Sequence, residues 1–141
     1  MFGGRVELKL KGRTIFKGKA RGEAIITSQS ISFYGGVDPE TGVVTEKGHE
    51  IEGKSIAGKI FAFPIGKGST VGSYTIYRLK KNGKAPAAIV NKSCDPIVAV
   101  GCIISEIACI DQIEIEKIPM GALLEVDAEN ATIDVKDPNI S

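Results

Sequence analysis

Apolar and polar residues alternate in two stretches near the start of the chain, RVELKL at 5–10 and GEAIIT at 22–27. A period of two sends one side of a segment into a core and the other into water, so both stretches predict β-strands. Further along, IAGKIFAF at 56–63 and APAAIVN at 85–91 are short apolar runs bounded by turn residues, and they predict two more strands. A helix is expected over Val71–Lys81, with Ser69 or Thr70 as its N-cap, Lys80 and Lys81 in its last turn, and Asn82-Gly83 beyond it. Asp95-Pro96 supplies a second helix start ahead of IVAVGCII, and a helix apolar on every side predicts burial. Leu123–Val126 and Thr132–Val135, joined across Asp127-Ala128-Glu129-Asn130, predict a closing hairpin. Between the first strands and the rest lies ISFYGGVDPETGVV, whose glycines and Asp-Pro-Glu-Thr-Gly mark a long loop of the kind that carries function.

Composition narrows the class without changing that picture. The chain has 141 residues, the length of a single domain that can bury a core but is small for a complete enzyme, so a partner chain is expected. Lys plus Arg number 18 against 17 Asp plus Glu, an even balance that nominates neither nucleic acid nor an anionic membrane as partner. The longest apolar run, Pro96 to Ile104, is less than half of the roughly 20 residues that span a bilayer. MFGGRVELKLKGR has no apolar core of a signal peptide, and a soluble cytoplasmic protein is expected. Cys94, Cys102 and Cys109 include no C-x-x-C pair, and His49 is the sole histidine, so a zinc site in this chain is not expected. Cys102, inside VAVGCII, reads as a small buried hydrophobe.

The chemistry concentrates in PIGKGSTVGS at 64–73, directly after Ile60–Phe63. It is not a Walker A loop, because Lys67 precedes Gly68 and no lysine stands before the helix. The dinucleotide fingerprint fails at Val71, where its third glycine belongs, and G-x-S-x-G fails at the same residue. A more general function survives those tests. Amides at a helix start bind anions, Gly66 and Gly68 let a carboxylate or phosphate approach without meeting a Cβ, and Lys67 adds charge. Among such dipoles the hydroxyl of Ser69 is favoured in its ionised form, the form that takes a proton. A purely structural use of the same residues is a strand-to-helix turn with Ser69 as N-cap.

Three separated segments extend the pattern: GEAIITSQSISFYGGVDPETGVV at 22–44, GHEIEGKSIAGKIFAFPIGKGSTVGS at 48–73 and GKAPAAIVNKSCDPIVAVG at 83–101. Together they resemble the small subunit of the aconitase X family, a stand-alone form of the aconitase swivel domain; the match runs from about Gly22 to Gly101. The resemblance implies a mixed α/β chain, a swivelling β/β/α fold over residues 1–141, and an active site shared with a separate large subunit that carries a [4Fe-4S] cluster. No cofactor is expected on this chain. The family's G-[RK]-G-S-[ST] turn supplies a serine as proton acceptor, and Ser69 matches it, which leaves Gly66, Lys67, Gly68 and Thr70 as substrate-binding candidates. The implied activity is a hydro-lyase acting on a phosphorylated β-hydroxy acid, (R)-5-phosphomevalonate to trans-anhydromevalonate 5-phosphate, in archaeal isoprenoid synthesis. Dehydration of cis-3-hydroxy-L-proline and a non-catalytic anion-binding module are the alternatives.

Four further features are weighed beside the turn. Gly35, Gly36 and Asp38 line the cleft, seat the large subunit, or simply make a turn. His49 is expected as a loop or subunit-contact residue rather than an acid. Asp95 is expected to cap the second helix, and Arg78, Lys80, Lys81 and Lys84 to form a solvated face.

Overall fold

The computed structural model describes residues 6–136, so Arg5, the first residue of the expected N-terminal strand, lies outside them. Eight strands, β1 (Val6–Lys11), β2 (Arg13–Phe16), β3 (Lys19–Ile26), β4 (Ile60–Phe63), β5 (Ala88–Asn91), β6 (Ala108–Asp111), β7 (Leu123–Asp127) and β8 (Thr132–Lys136), connect in the order β1-β8-β7-β3-β4-β5-β6-β2. Two helices, α2 (Gly72–Lys81) and α3 (Pro96–Ser105), cross over between β4, β5 and β6, which run parallel with β3. A short kinked helical turn, α1 (Phe33–Gly36), and a 3-10 turn at Ile115–Lys117 complete the set.

The eight strands form two layers, and β3 belongs to both. Its residues Lys19–Glu23 pair antiparallel with Asp127–Leu123 of β7, and Ala24–Ile26 then pair parallel with Ile60–Ala62 of β4. At the opposite edge the chain turns from β1 into β2 at Gly12, whose amide donates to the Ala131 carbonyl at 2.8 Å. A Cβ at Gly12 would run into the Asp111 carbonyl, so only glycine fits this corner.

Alternation along the central strands builds two cores. Ile60 and Ala62, Ala88 and Val90, and Ala108 and Ile110 join Leu124, Val126, Ile133 and Val135 of the antiparallel layer in one cluster. Phe61 and Phe63, Ile89 and Cys109 point the other way and pack with Ile76, Leu79, Val98 and Cys102 of the helices. A sheet covered on both faces reads as an apolar run, which is why these strands show no visible alternation in sequence. Phe33 lies edge-on against Phe61 and Phe63, with ring centroids 6.2 and 5.8 Å away. Each buried ring contributes about 1.5–3 kcal/mol by area, and these contacts pin the start of the long loop over the sheet.

The differences from the sequence reading have local causes. The strand expected from Ile56 begins only at Ile60, because Gly58 takes a φ of 70° and turns the chain. The strand expected from Ala85 begins at Ala88, after Pro86, which has no amide for a ladder. β3 starts earlier than expected, at Lys19, and β2 and β6 were not expected at all. Helix α2 begins at Gly72, one residue later than expected, with Val71 at the cap position and no side-chain cap there.

The larger correction concerns α3. Asp95 caps it and Pro96 occupies its first turn, as the sequence predicts, but the helix is not buried on every side. Val98, Gly101, Cys102 and Ser105 face the sheet and α2, whereas Val100, Ile103 and Ile104 are exposed. Among the described residues nothing packs outside the helix layer, so an all-apolar helix keeps one wet side. Among the described residues no helix is long and apolar enough to cross a membrane. Replacing Val98 with Ala is expected to cost about 2 kcal/mol, and Ile103 with Ser less than about 0.5 kcal/mol, in urea unfolding followed by circular dichroism; equal costs would contradict the one-sided burial.

Candidate active site

The glycine turn sits where parallel α/β sheets most often hold ligands, at the carboxyl ends of the strands and the amino ends of the helices. Gly72 at the start of α2 lies against Ile97 at the start of α3, and the Ser73 hydroxyl donates to the Ile97 carbonyl at 2.6 Å. One turn on, Gly101 faces Ile76, where a Cβ would lie 2.6 Å from Cδ1. The two helices therefore run alongside each other with both amino ends at the turn.

Asp95 fastens the turn to α3. One carboxylate oxygen accepts from Ile97 N and Val98 N at 3.0 and 3.3 Å, the N-cap expected from the sequence. The other accepts from the Gly66 amide at 2.9 Å, a second function that capping patterns do not reveal. A Cβ at Gly66 would lie 2.6 Å from the same carboxylate, so this glycine closes the turn against α3 and its amide is already committed. Lys67 N donates to the Ile31 carbonyl at 3.0 Å, tying the turn to the long loop. Gly68 has a φ of 92° and rests on Ser32, where a Cβ would overlap the hydroxyl.

Beyond Gly68 the amides change character. Val71 N donates to the Ser69 hydroxyl oxygen at 3.1 Å, and Gly72 N and Ser73 N donate to the carbonyls of Ser69 and Thr70. Among the described residues, the amides of Gly68, Ser69 and Thr70 have no acceptor. Three consecutive free donors thus stand at the head of α2 beside an exposed serine. Free amides at a helix start are the kind of donor that can hold an anion, with support from the helix dipole. The Val71 amide, already directed at Ser69 Oγ, interacts more strongly with an alkoxide than with a hydroxyl, which lowers the cost of removing the serine proton.

Lys67 lines a polar cleft of about 480 Å³ together with Ser28, Ser30, Glu46, Lys47 and His49. The Lys67 ammonium lies 2.8 Å from Glu46 Oε2, while Glu46 Oε1 accepts from Ser32 N at 3.3 Å. Burial pushes the Glu46 carboxyl up, but the Lys67 bond and the Ser32 amide outweigh it and leave the group below the ordinary glutamate range. Nothing in the sequence pattern singles out Glu46, because a glutamate in TEKGHE reads as a solvated loop charge.

The remaining candidates divide cleanly. His49 is buried; its Nδ1 accepts from Ile51 N, so the hydrogen is on Nε2, which donates to the Ser30 carbonyl at 3.0 Å. Both ring nitrogens are used to shape the loop. Asp38 accepts from Glu40 N at 2.9 Å within its own turn, and Gly35 takes a φ of 83°. Both are turn-forming residues. Arg78, Lys80, Lys81 and Lys84 are exposed along and after the end of α2.

The cysteines do not fit an iron-sulfur cluster. Cys102 and Cys109 are buried and Cys94 is half-buried; the Cys94 thiol is raised by hydrogen bonding with Cys109 and by burial, and that of Cys109 by hydrogen bonding with Cys102. A ligand must be a thiolate, and among the described residues no group of three His, Cys, Asp or Glu side chains is arranged to hold a metal ion.

Residues 9–135 match the family described as the aconitase X swivel domain. The phosphomevalonate dehydratase small subunit of Thermococcus kodakarensis is 53% identical over 128 residues, covering 91% of this chain and 96% of that one. Its counterpart in Methanosarcina acetivorans is 52% identical over 136 residues, covering 94% of each chain. Among solved structures, the crystal structure of Thermococcus kodakaraensis aconitase X in its holo-form superposes with a TM-score of 0.91 at 52% identity, covering 92% of this chain and 99% of that one. Replacing Asp95 with Ala removes acceptors from three amides and is expected to lower stability by about 1–2 kcal/mol. Amide exchange should quicken at Gly66, Ile97 and Val98 together; exchange quickened only within α3 would contradict a shared clamp.

Proposed function

The chain belongs to the aconitase X swivel-domain family, and from that premise we propose that it is the small subunit of a two-chain phosphomevalonate dehydratase, with Ser69 as the base. The proposed reaction converts (R)-5-phosphomevalonate to trans-anhydromevalonate 5-phosphate. Relatives that carry the small-subunit name match this chain over nearly their whole length, which supports a larger partner and this substrate. The observation that carries the assignment of roles is the exposed Ser69 hydroxyl held by Val71 N beside three unpaired amides.

Dehydration of a β-hydroxy acid breaks two bonds. A proton leaves the carbon next to the carboxylate, its electron pair forms the double bond, and hydroxide leaves the neighbouring carbon. Ser69 Oγ takes that proton in this reading, as an alkoxide stabilised by the Val71 amide and the amino end of α2. The amides of Gly68, Ser69 and Thr70, with the Lys67 ammonium, hold a substrate anion so that the acidic carbon faces Oγ. Gly66 contributes by keeping the turn against Asp95. The described residues of this chain do not fit a [4Fe-4S] cluster; one held by the larger subunit would supply the Lewis acid for the departing hydroxide.

Ser69→Ala, purified with the larger subunit under anaerobic conditions, is expected to lose at least about a hundredfold in kcat. Co-elution of the two chains should be unchanged. Turnover near that of the wild type would remove Ser69 as the base. The wild-type complex should form alkene from 5-phosphomevalonate and not from cis-3-hydroxy-L-proline, and the reverse preference would overturn the substrate assignment.

A further inference from the structure

Glu46 stands 21 residues before Lys67 in sequence and meets it across the cleft. A lysine on a glycine turn has four freely rotating side-chain bonds and no reason to hold one position. Here its ammonium is held by a carboxylate that is itself held. Thr45 N and Glu46 N both donate to the Gly36 carbonyl, at 2.8 and 3.2 Å, and His49 N donates to the Glu46 carbonyl at 3.2 Å. The carboxylate is then oriented by Ser32 N, and it packs over Gly36, where a Cβ would lie 3.1 Å from Oε1. Three quarters of the Glu46 side chain is covered, against half of Lys67.

Partly exposed ion pairs add little to stability, with a median of roughly 0–1 kcal/mol, so the fold does not depend on this one. Its effect is on placement. It keeps a positive charge at the edge of the cleft, on the turn that also presents the free amides of residues 68–70.

We infer that Glu46 is a positioning residue for the substrate anion: it orients Lys67, and acts on the reaction through Lys67 alone. This rests on the reading of Lys67 as an anion contact. Because the other side of the Lys67 ammonium faces solvent, a bound carboxylate or phosphate can share it with Glu46. The alternative, in which Glu46 competes with substrate and restrains binding, predicts the opposite sign.

Steady-state kinetics of the reconstituted two-chain complex with 5-phosphomevalonate separate these cases. Glu46→Gln keeps an acceptor for Ser32 N and removes the charge that holds Lys67. It is expected to raise KM about tenfold, the scale of one charge-assisted hydrogen bond, with kcat changed less than about threefold. Lys67→Met should raise KM at least as much, and the double variant should be no worse than Lys67→Met. A fall in KM for Glu46→Gln, an unchanged KM, or an effect that persists in full in the Lys67→Met background overturns the inference, since a merely structural glutamate would act additively. A silent Lys67→Met removes the anion contact itself and the inference with it. Neither result bears on Ser69, whose own substitution tests the base.

Discussion

The Asp95 carboxylate is the point on which the site depends. Its two oxygens serve two segments: one closes the amino end of α3, and the other holds the first glycine of the turn that opens α2. Without that bridge, the turn would be attached to α3 by side-chain packing at Ile97 and Val98 and by the Ser73 bond. A carboxylate at a helix start is also favoured by the dipole. The same group that stabilises α3 therefore sets the position of a turn 29 residues earlier in the chain.

The ordering of the turn depends on which amides are used. Those of Gly66 and Lys67 are taken by Asp95 and by the Ile31 carbonyl, and those from Val71 onward are taken by Ser69 and the helix. Among the described residues, the three between them have no acceptor. A loop whose flanking donors are satisfied holds its free donors in one direction, so an arriving anion meets them without first reorganising the chain. The left-handed backbone at Gly68 makes this division possible, since it turns the chain from the Ile31 and Ser32 contacts into the helix.

Much of the fold was legible because its signals are local. The alternation of RVELKL, the Asp-Pro helix start and the Asp127–Asn130 turn each name an element from a few residues. β2 and β6 were missed for the opposite reason. Each is four residues long; ACID follows α3 with only Glu106 and Ile107 between, and Glu106 ends the helix in a left-handed conformation more often seen with glycine. The exposure of Ile103 and Ile104 was not legible either, since composition cannot say which side of an apolar helix the fold will cover. At the site, Ser69 and its glycines stood out through their spacing. Glu46 and the second function of Asp95 did not, because each depends on a partner more than twenty residues away.

That split follows from the physics of the proposed half-site. The proposed base and anion cradle use backbone donors and one hydroxyl, and both are encoded in a single short turn. Their orientation relative to anything else is a tertiary property. It needs rigid supports from separate elements: Asp95 at the cap of α3, Ile31 and Glu46 in the connection between β3 and β4, and the Phe33 contacts that press this connection onto the sheet. If the remaining chemistry comes from a second chain, this turn must already be in place when that chain docks, because docking forces cannot also be used to order a floppy loop without loss of affinity. Rigidity in the small chain is then a requirement of dividing the reaction between two polypeptides, and the committed amides on either side of residues 68–70 are how this fold meets it.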